Sequence, residues 1–192
     1  MRRRRYLHNA MNNCSETRIS VYTIGHSNRT WGEFIELLEK FAIQTIGDIR
    51  SLPGSRKFPH FDRENMQKAL PNHEVRYIWL PKLGGLRRVR KGFESPNTGL
   101  TSPGFRAYAD YMLTQEFREG VQELLTLAFE SATAVMCAEA VYWRCHRRLL
   151  SDYLTAHGIE VLHIQGRKNL VPHNMTQGAS VTPDGRVIYL PS

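Results

Sequence analysis

Seven residues between Cys137 and Arg148 carry most of the chemistry this chain can offer. They are Cys137, Glu139, Arg144, Cys145, His146, Arg147 and Arg148. Glu139 follows an apolar run that reads as a buried strand. A carboxyl half-desolvated there has a raised pKa and can act as general acid or base. Cys145 sits among arginines where a helix should begin, which favours the thiolate. It also falls on the apolar stripe with Leu149, so a core role is open. Cys137, the last residue of the strand, is a buried thiol by default. His146 and Arg147 can hold an anion together with the free N–H groups of a helix start.

These residues need elements to position them. Thr133 to Cys137 reads as a strand and Tyr142 to His157 as a helix closed by Gly158. The same alternation runs along the chain. Strands are expected at Ile19–Ile24, Thr45–Ile49, Val75–Leu80 and Ile159–Ile164. Thr30 with Glu33 forms a capping box ahead of Phe34, Leu37, Leu38 and Phe41 at helical spacing. Asp62 is placed to cap a short helix, and one long helix is expected from Phe105 to Phe129. A Pro183-Asp184-Gly185 turn between SVT and VIYL predicts a small C-terminal hairpin. The pattern predicts a single α/β domain, 19–192. Its sheet should be largely parallel, with about five strands and helices on both faces.

In such sheets ligands bind beyond the carboxyl ends of the strands. Here those ends are polar. The first supplies His26 and Ser27, the second Asp48 and Arg50, and a Pro/Gly/Ser-rich loop with Ser55 follows. The third leads to Gly84 and Gly85, which permit close backbone approach to a ligand. The fourth ends at Cys137 and Glu139. His26, Arg50, Cys137, Glu139 and Arg147 are therefore expected to line one pocket. Glu139 and Arg147, eight residues apart, are also within reach of pairing across the chain reversal.

The motifs TIGHSN (Thr23–Asn28), DIRSLPGSR (Asp48–Arg56), LGG (Leu83–Gly85), MCAE (Met136–Glu139) and CHR (Cys145–Arg147) resemble the domain-of-unknown-function family 488. The resemblance spans roughly Ile19 to Gly166. It implies an α/β domain whose site residues match the rim set above, and it implies no reaction.

Composition narrows the function classes. The chain has 192 residues and a formal net charge of +8. Five arginines and one acid within residues 1–18 make a basic, flexible arm suited to nucleic acid or anionic lipid. No apolar run of about 18 residues exists, so no membrane partner is expected and the protein reads as cytoplasmic. Three cysteines, Cys14, Cys137 and Cys145, do not make a disulfide framework. A cysteine-phosphatase loop fails on spacing, since Cys137 and Arg144 are seven apart and bulky Val141, Tyr142 and Trp143 lie between them.

The reading that absorbs most residues is an enzyme that hydrolyses or transfers at a bond of a nucleotide or nucleic acid. Glu139 moves the proton, with Cys137, Cys145 and His26 as further catalytic candidates. Arg50, Arg144 and Arg147 hold phosphate, Ser27, Asp48, Ser55, Gly84, Gly85 and His146 complete the substrate site, and Trp143 or Tyr142 stacks a base. No organic cofactor is required. One alternative is a non-catalytic module binding an anionic small molecule or nucleic acid. Another is a thiol or zinc protein on Cys137 and Cys145, with His146 and either His26 or His163. The surrounding arginines repel a cation, so no metal is expected. Oligomeric state leaves no sequence signature.

Overall fold

The β-branched and aromatic segment Ser20–Gly25 forms β1, and four further strands run parallel beside it. They are β2 (Thr45–Asp48), β3 (Arg76–Trp79), β4 (Thr133–Cys137) and β5 (Glu160–Ile164). A sixth, β6 (Leu170–Pro172), joins β5 antiparallel. The sheet order is β3-β2-β4-β1-β5-β6. The computed structural model describes residues 19–89, 92–168 and 170–191; the basic arm expected at 1–18 lies outside them. The expected C-terminal hairpin is present as β7 (Ala179–Val181) and β8 (Val187–Tyr189). β6 went unread because three residues, Leu-Val-Pro, carry no periodicity. Its proline is tolerated because it lies on an edge strand.

Helices cover both faces, as the alternation predicts. α1 (Trp31–Lys40) and α2 (Arg63–Ala69) pack on the face carrying Ile24, Ile46 and Met136. α3 (Pro103–Met112), α4 (Gln115–Glu130), α5 (Arg147–Ala156) and the hairpin pack on the face carrying Val21, Val135 and Val161. α1 begins with the expected capping box: Thr30 Oγ1 accepts from Glu33 N–H, and Glu33 Oε2 accepts from Thr30 N–H. No helix among the described residues is long and apolar enough to cross a membrane.

Three local expectations are corrected. The long helix from Phe105 is two helices, because Thr114 Oγ1 accepts from Phe117 N–H and caps a new start at Gln115. One apolar stripe spans both because both helices bury the same side. Asp62 occupies the N-cap position of α2, but its carboxylate is taken by Ser55 N–H and caps nothing. α5 starts at Arg147 rather than Tyr142: Tyr142–Arg144 is a single 3-10 turn, and Cys145 is extended at φ −123°, ψ 151°. Cys145 therefore lies just ahead of the helix.

The period-two rule decides which layer each strand-end residue meets. Cys137 shares its face with Val135 and meets the α3–α5 layer. Asp48 shares its face with Ile46 and meets Tyr77. The carboxyl edge of the central strands thus sends groups into both layers.

Candidate functional site

β1 and β4 are neighbours, and the loops leaving them are laced together. His26 N–H donates to Cys137 O at 3.0 Å and Ser27 N–H to Ala138 O at 2.9 Å. The loops pass so closely that a Cβ on Gly25 would lie 1.9 Å from Glu139 O. Around this junction the loop after β2, the Gly85-Leu86 segment and His146 enclose a cleft of about 390 Å³. His26, Arg50, Ser55, Gly85, Cys137 and His146, all expected at the site, line it.

One wall is an ordered chain of polar groups. Arg50 is 6% exposed and forks onto Asp48, with Nε to Oδ1 at 2.9 Å and Nη2 to Oδ2 at 2.6 Å. Tyr77 O–H donates to the same Asp48 Oδ2 at 2.5 Å. Asp48 is fully buried and its oxygens are filled, so it fixes Arg50 rather than touching substrate. The remaining guanidinium nitrogen, Nη1, lies 3.3 Å from His26 Nε2. His26 Nδ1–H donates to Ser27 O at 3.0 Å, which leaves the lone pair on Nε2 to accept from Arg50. Burial, then the Arg50 charge, holds the His26 pKa down at about 4, so the imidazole is neutral. Its ring stacks on Phe61 at 4.3 Å.

The other wall carries sulfur and nitrogen. Cys137 Sγ lies 4.0 Å and Cys145 Sγ 3.5 Å from His146 Nδ1, and the three atoms fall within 4.8 Å of one another. Cys137 and His146 line the cleft, and Cys145, 4% exposed, sits behind them. Both thiols are free. Donation to Cys145, with burial, pushes the Cys137 thiol well up. Acceptance from Cys137, aided by His146 and Arg147, holds Cys145 well below the usual thiol range. His146 is seated by the bare backbone of Gly85, where a Cβ would lie 2.3 Å from Nδ1, and by the Tyr108 ring at 5.0 Å. Gly84 packs against Ser51 in the same way. The bare backbone at both glycines makes room for protein side chains, and Gly85 also lines the cleft.

Several expected residues point elsewhere. Glu139 is exposed, does not line the cleft and makes no ion pair among the described residues. Arg147 does not reach its carboxylate. The buried guanidinium instead donates through Nη2 to the carbonyls of Glu139 and Ala140, clamping the β4 loop onto α5. Arg147 is therefore not open to a substrate in the cleft. Arg144 is exposed on the 3-10 turn, and Ser27 Oγ donates to Asn28 Oδ1 at 3.3 Å. Tyr142 lies flat on His163 at 3.5 Å, and Trp143 borders a separate hollow with Phe105 and Arg148. Neither aromatic ring faces the cleft.

His163 belongs to a buried relay that no sequence pattern announces. Thr23 Oγ1 lies 2.6 Å from its Nδ1, and its Nε2 lies 3.0 Å from His173 Nδ1. His173 Nε2–H donates to Asp152 Oδ1 at 2.8 Å, and Tyr189 O–H donates to Asp152 Oδ2 at 2.8 Å. Other groups missed from the sequence are Ser51, Leu52, Gly54, Leu86 and Ala138 on the cleft wall. The first three lie in the Pro/Gly/Ser-rich loop, whose length and polarity were the available signal. A neighbouring hollow of about 650 Å³ shares Gly54 and Ser55 with the cleft and adds Arg56 and Arg63.

No curated protein and no solved structure matches the chain. A family model, described as domain of unknown function DUF488, matches residues 30–154. That span holds every cleft residue named above except His26. With most of its length matched, including the segments after β2 and β4 that build the cleft, the chain belongs to the DUF488 family.

Proposed function

We propose that the protein is an enzyme that hydrolyses or transfers a group of an anionic, nucleotide-sized substrate held in this cleft. The observation that carries the reading is Arg50. Its guanidinium is fixed by Asp48, bonds His26 through Nη1, and lines the same cleft as Cys137 and His146. A rigid cation opposite reactive side chains positions an anion for reaction. The cleft volume suits a small molecule. The adjoining hollow is mixed in charge, with Arg56 and Arg63 beside Asp62 and Glu64, so the cation that defines the site is Arg50. Cys137 and His146 take the reactive role that the sequence suggested for Glu139.

The test combines thermal shift with a turnover screen. Ligands are inorganic phosphate, nucleoside mono- and diphosphates, and a short single-stranded oligonucleotide. At least one small anion should raise Tm and be turned over. Cys137→Ala should keep the Tm rise and lose turnover, and Glu139→Gln should keep both. Stabilisation without turnover would leave a binding module. Stabilisation by the oligonucleotide alone would replace the small-molecule substrate with nucleic acid. No stabilisation by any of them would end the reading.

A further inference from the structure

We propose that Cys137, Cys145 and His146 form a three-ligand site for a zinc ion whose fourth position opens into the cleft. The donors come from two elements that the fold brings together: Cys137 ends β4, and Cys145 and His146 immediately precede α5. The Arg147 clamp joins those two elements, since Nη2 on α5 holds the carbonyls of the loop leaving Cys137.

Zinc bonds sulfur at about 2.3 Å and imidazole nitrogen at about 2.0 Å, so a tetrahedral angle sets sulfur and nitrogen about 3.6 Å apart. The two sulfurs stand 3.5 and 4.0 Å from His146 Nδ1. The S–N distances need a shift of a few tenths of an ångström at Cys137; the two sulfurs, within 4.8 Å of each other, must close to about 3.8 Å, a movement of at most about 1 Å. Two thiolates and an imidazole select a soft, tetrahedral divalent ion, and zinc is the common one. The imidazole lies with Nδ1 near both sulfurs and against Gly85, where any side chain would strike the ring.

Among the described residues a fourth protein ligand is not at hand. His26 is committed to Ser27 O and Arg50, His163 to Thr23 and His173, and Glu139 lies outside the cleft. Three protein ligands with an open position is the arrangement of catalytic rather than structural zinc. Cys137 and His146 both line the cleft, so the open position faces the space that Arg50 also lines. The arginines do not forbid the ion. Two thiolates neutralise it, so Arg147 adjoins a neutral centre, and Arg50 is paired with Asp48. The use of the open position rests on the cleft being a substrate site; the metal site does not.

The experiment takes the full chain, purified without a metal-affinity tag and kept reduced, and adds Zn²⁺ or Co²⁺. One equivalent of Co²⁺ should produce thiolate-to-metal charge transfer in the near ultraviolet and the intense visible bands of a tetrahedral ion. Zn²⁺ should displace it. Cys137→Ser, Cys145→Ser and His146→Gln should each weaken binding roughly a hundredfold or more, beyond the 10–100-fold typical of outer-shell changes. Gly85→Ala keeps all three ligands but displaces the imidazole and should lose the tetrahedral intensity. Weak octahedral bands, substoichiometric binding, or a spectrum unchanged in Cys137→Ser would overturn the site. Turnover by metal-free protein that Cys137→Ser abolishes would also overturn it, leaving a thiol enzyme in the same cleft. Tetrahedral metal without turnover of any anion would uphold the site and remove the proposed enzymatic function.

Discussion

Asp48 and Arg50 are two charges that are tolerable only together. Both are buried, and their fork is completed by Tyr77. Removing one partner leaves the other unpaired in the interior, at a cost of about 3–5 kcal/mol. Asp48→Ala should show that loss as a lower denaturant midpoint at unchanged slope. Tyr77→Phe deletes one bond to a charged group and should cost about 1.5–3 kcal/mol. If both variants melt as the wild type does, the buried fork is not what holds Arg50. The same contrast separates Arg147 from Glu139. Arg147→Ala removes a fully buried clamp and should lower Tm strongly without any ligand present. Glu139→Gln, at an exposed position, should stay within about 0.5 kcal/mol of the wild type. An unchanged melt for Arg147→Ala would show that the β4 loop holds its place without the clamp.

Elements set the approach of these residues, and their ends matter more than their middles. The start of α1 rests on the Thr30 hydroxyl accepting from Glu33 N–H. Thr30→Ala should cost about 1 kcal/mol, measured by chemical denaturation, without altering the cleft. No loss would mean that water serves Glu33 N–H equally well. The start of α5 carries more consequence. The 3-10 turn at Tyr142–Arg144 and the extended Cys145 bring the thiol back toward Cys137. A helix running unbroken from Tyr142 would carry Cys145 inside its first turn and change that approach. The crossing of the β1 and β4 loops at Gly25 is equally strict. Gly25→Ala places a methyl group against a carbonyl and should cost about 3 kcal/mol or more. A near-neutral Gly25→Ala would show that the loops can separate.

At the scale of the molecule, the buried histidines tie stability to pH. Burial, then His173 and Arg147, lowers the His163 pKa from 6.5 to about 3, and His26 falls to about 4. In the unfolded chain both bind protons as pH drops through about 6.5; in the folded protein they do so only near their lowered values. Their contribution is full above about pH 6.5 and is lost progressively as pH falls toward 3. Denaturant midpoints should therefore decline between pH 6.5 and 4. His163→Gln should be less stable at pH 7 but show a shallower decline. An unchanged pH slope in that variant would assign the acid sensitivity to other groups.

The alternation of β-branched runs with 3.6-period helices is a local property, so the α/β class, five of the six main strands and the hairpin could be read from the residues in order. A parallel sheet then sends every strand's carboxyl end to one edge. His26, Arg50 and Cys137 could thus be expected to meet before the strand order was known, while Glu139 and Arg147, expected with them, do not line the cleft. Tertiary structure decided what local pattern cannot. Which of Cys137 and Glu139, two residues apart, reaches the cleft depends on the turn after β4, which Gly25 and Arg147 hold from elsewhere in the chain. Asp48 became the support of Arg50 because strand parity aims it at Tyr77 on a neighbouring strand. His163 was withdrawn from the candidate ligands by partners on β1 and after β6. Each outcome turns on a contact between residues distant in sequence, and spacing along the chain carries no information about such a contact.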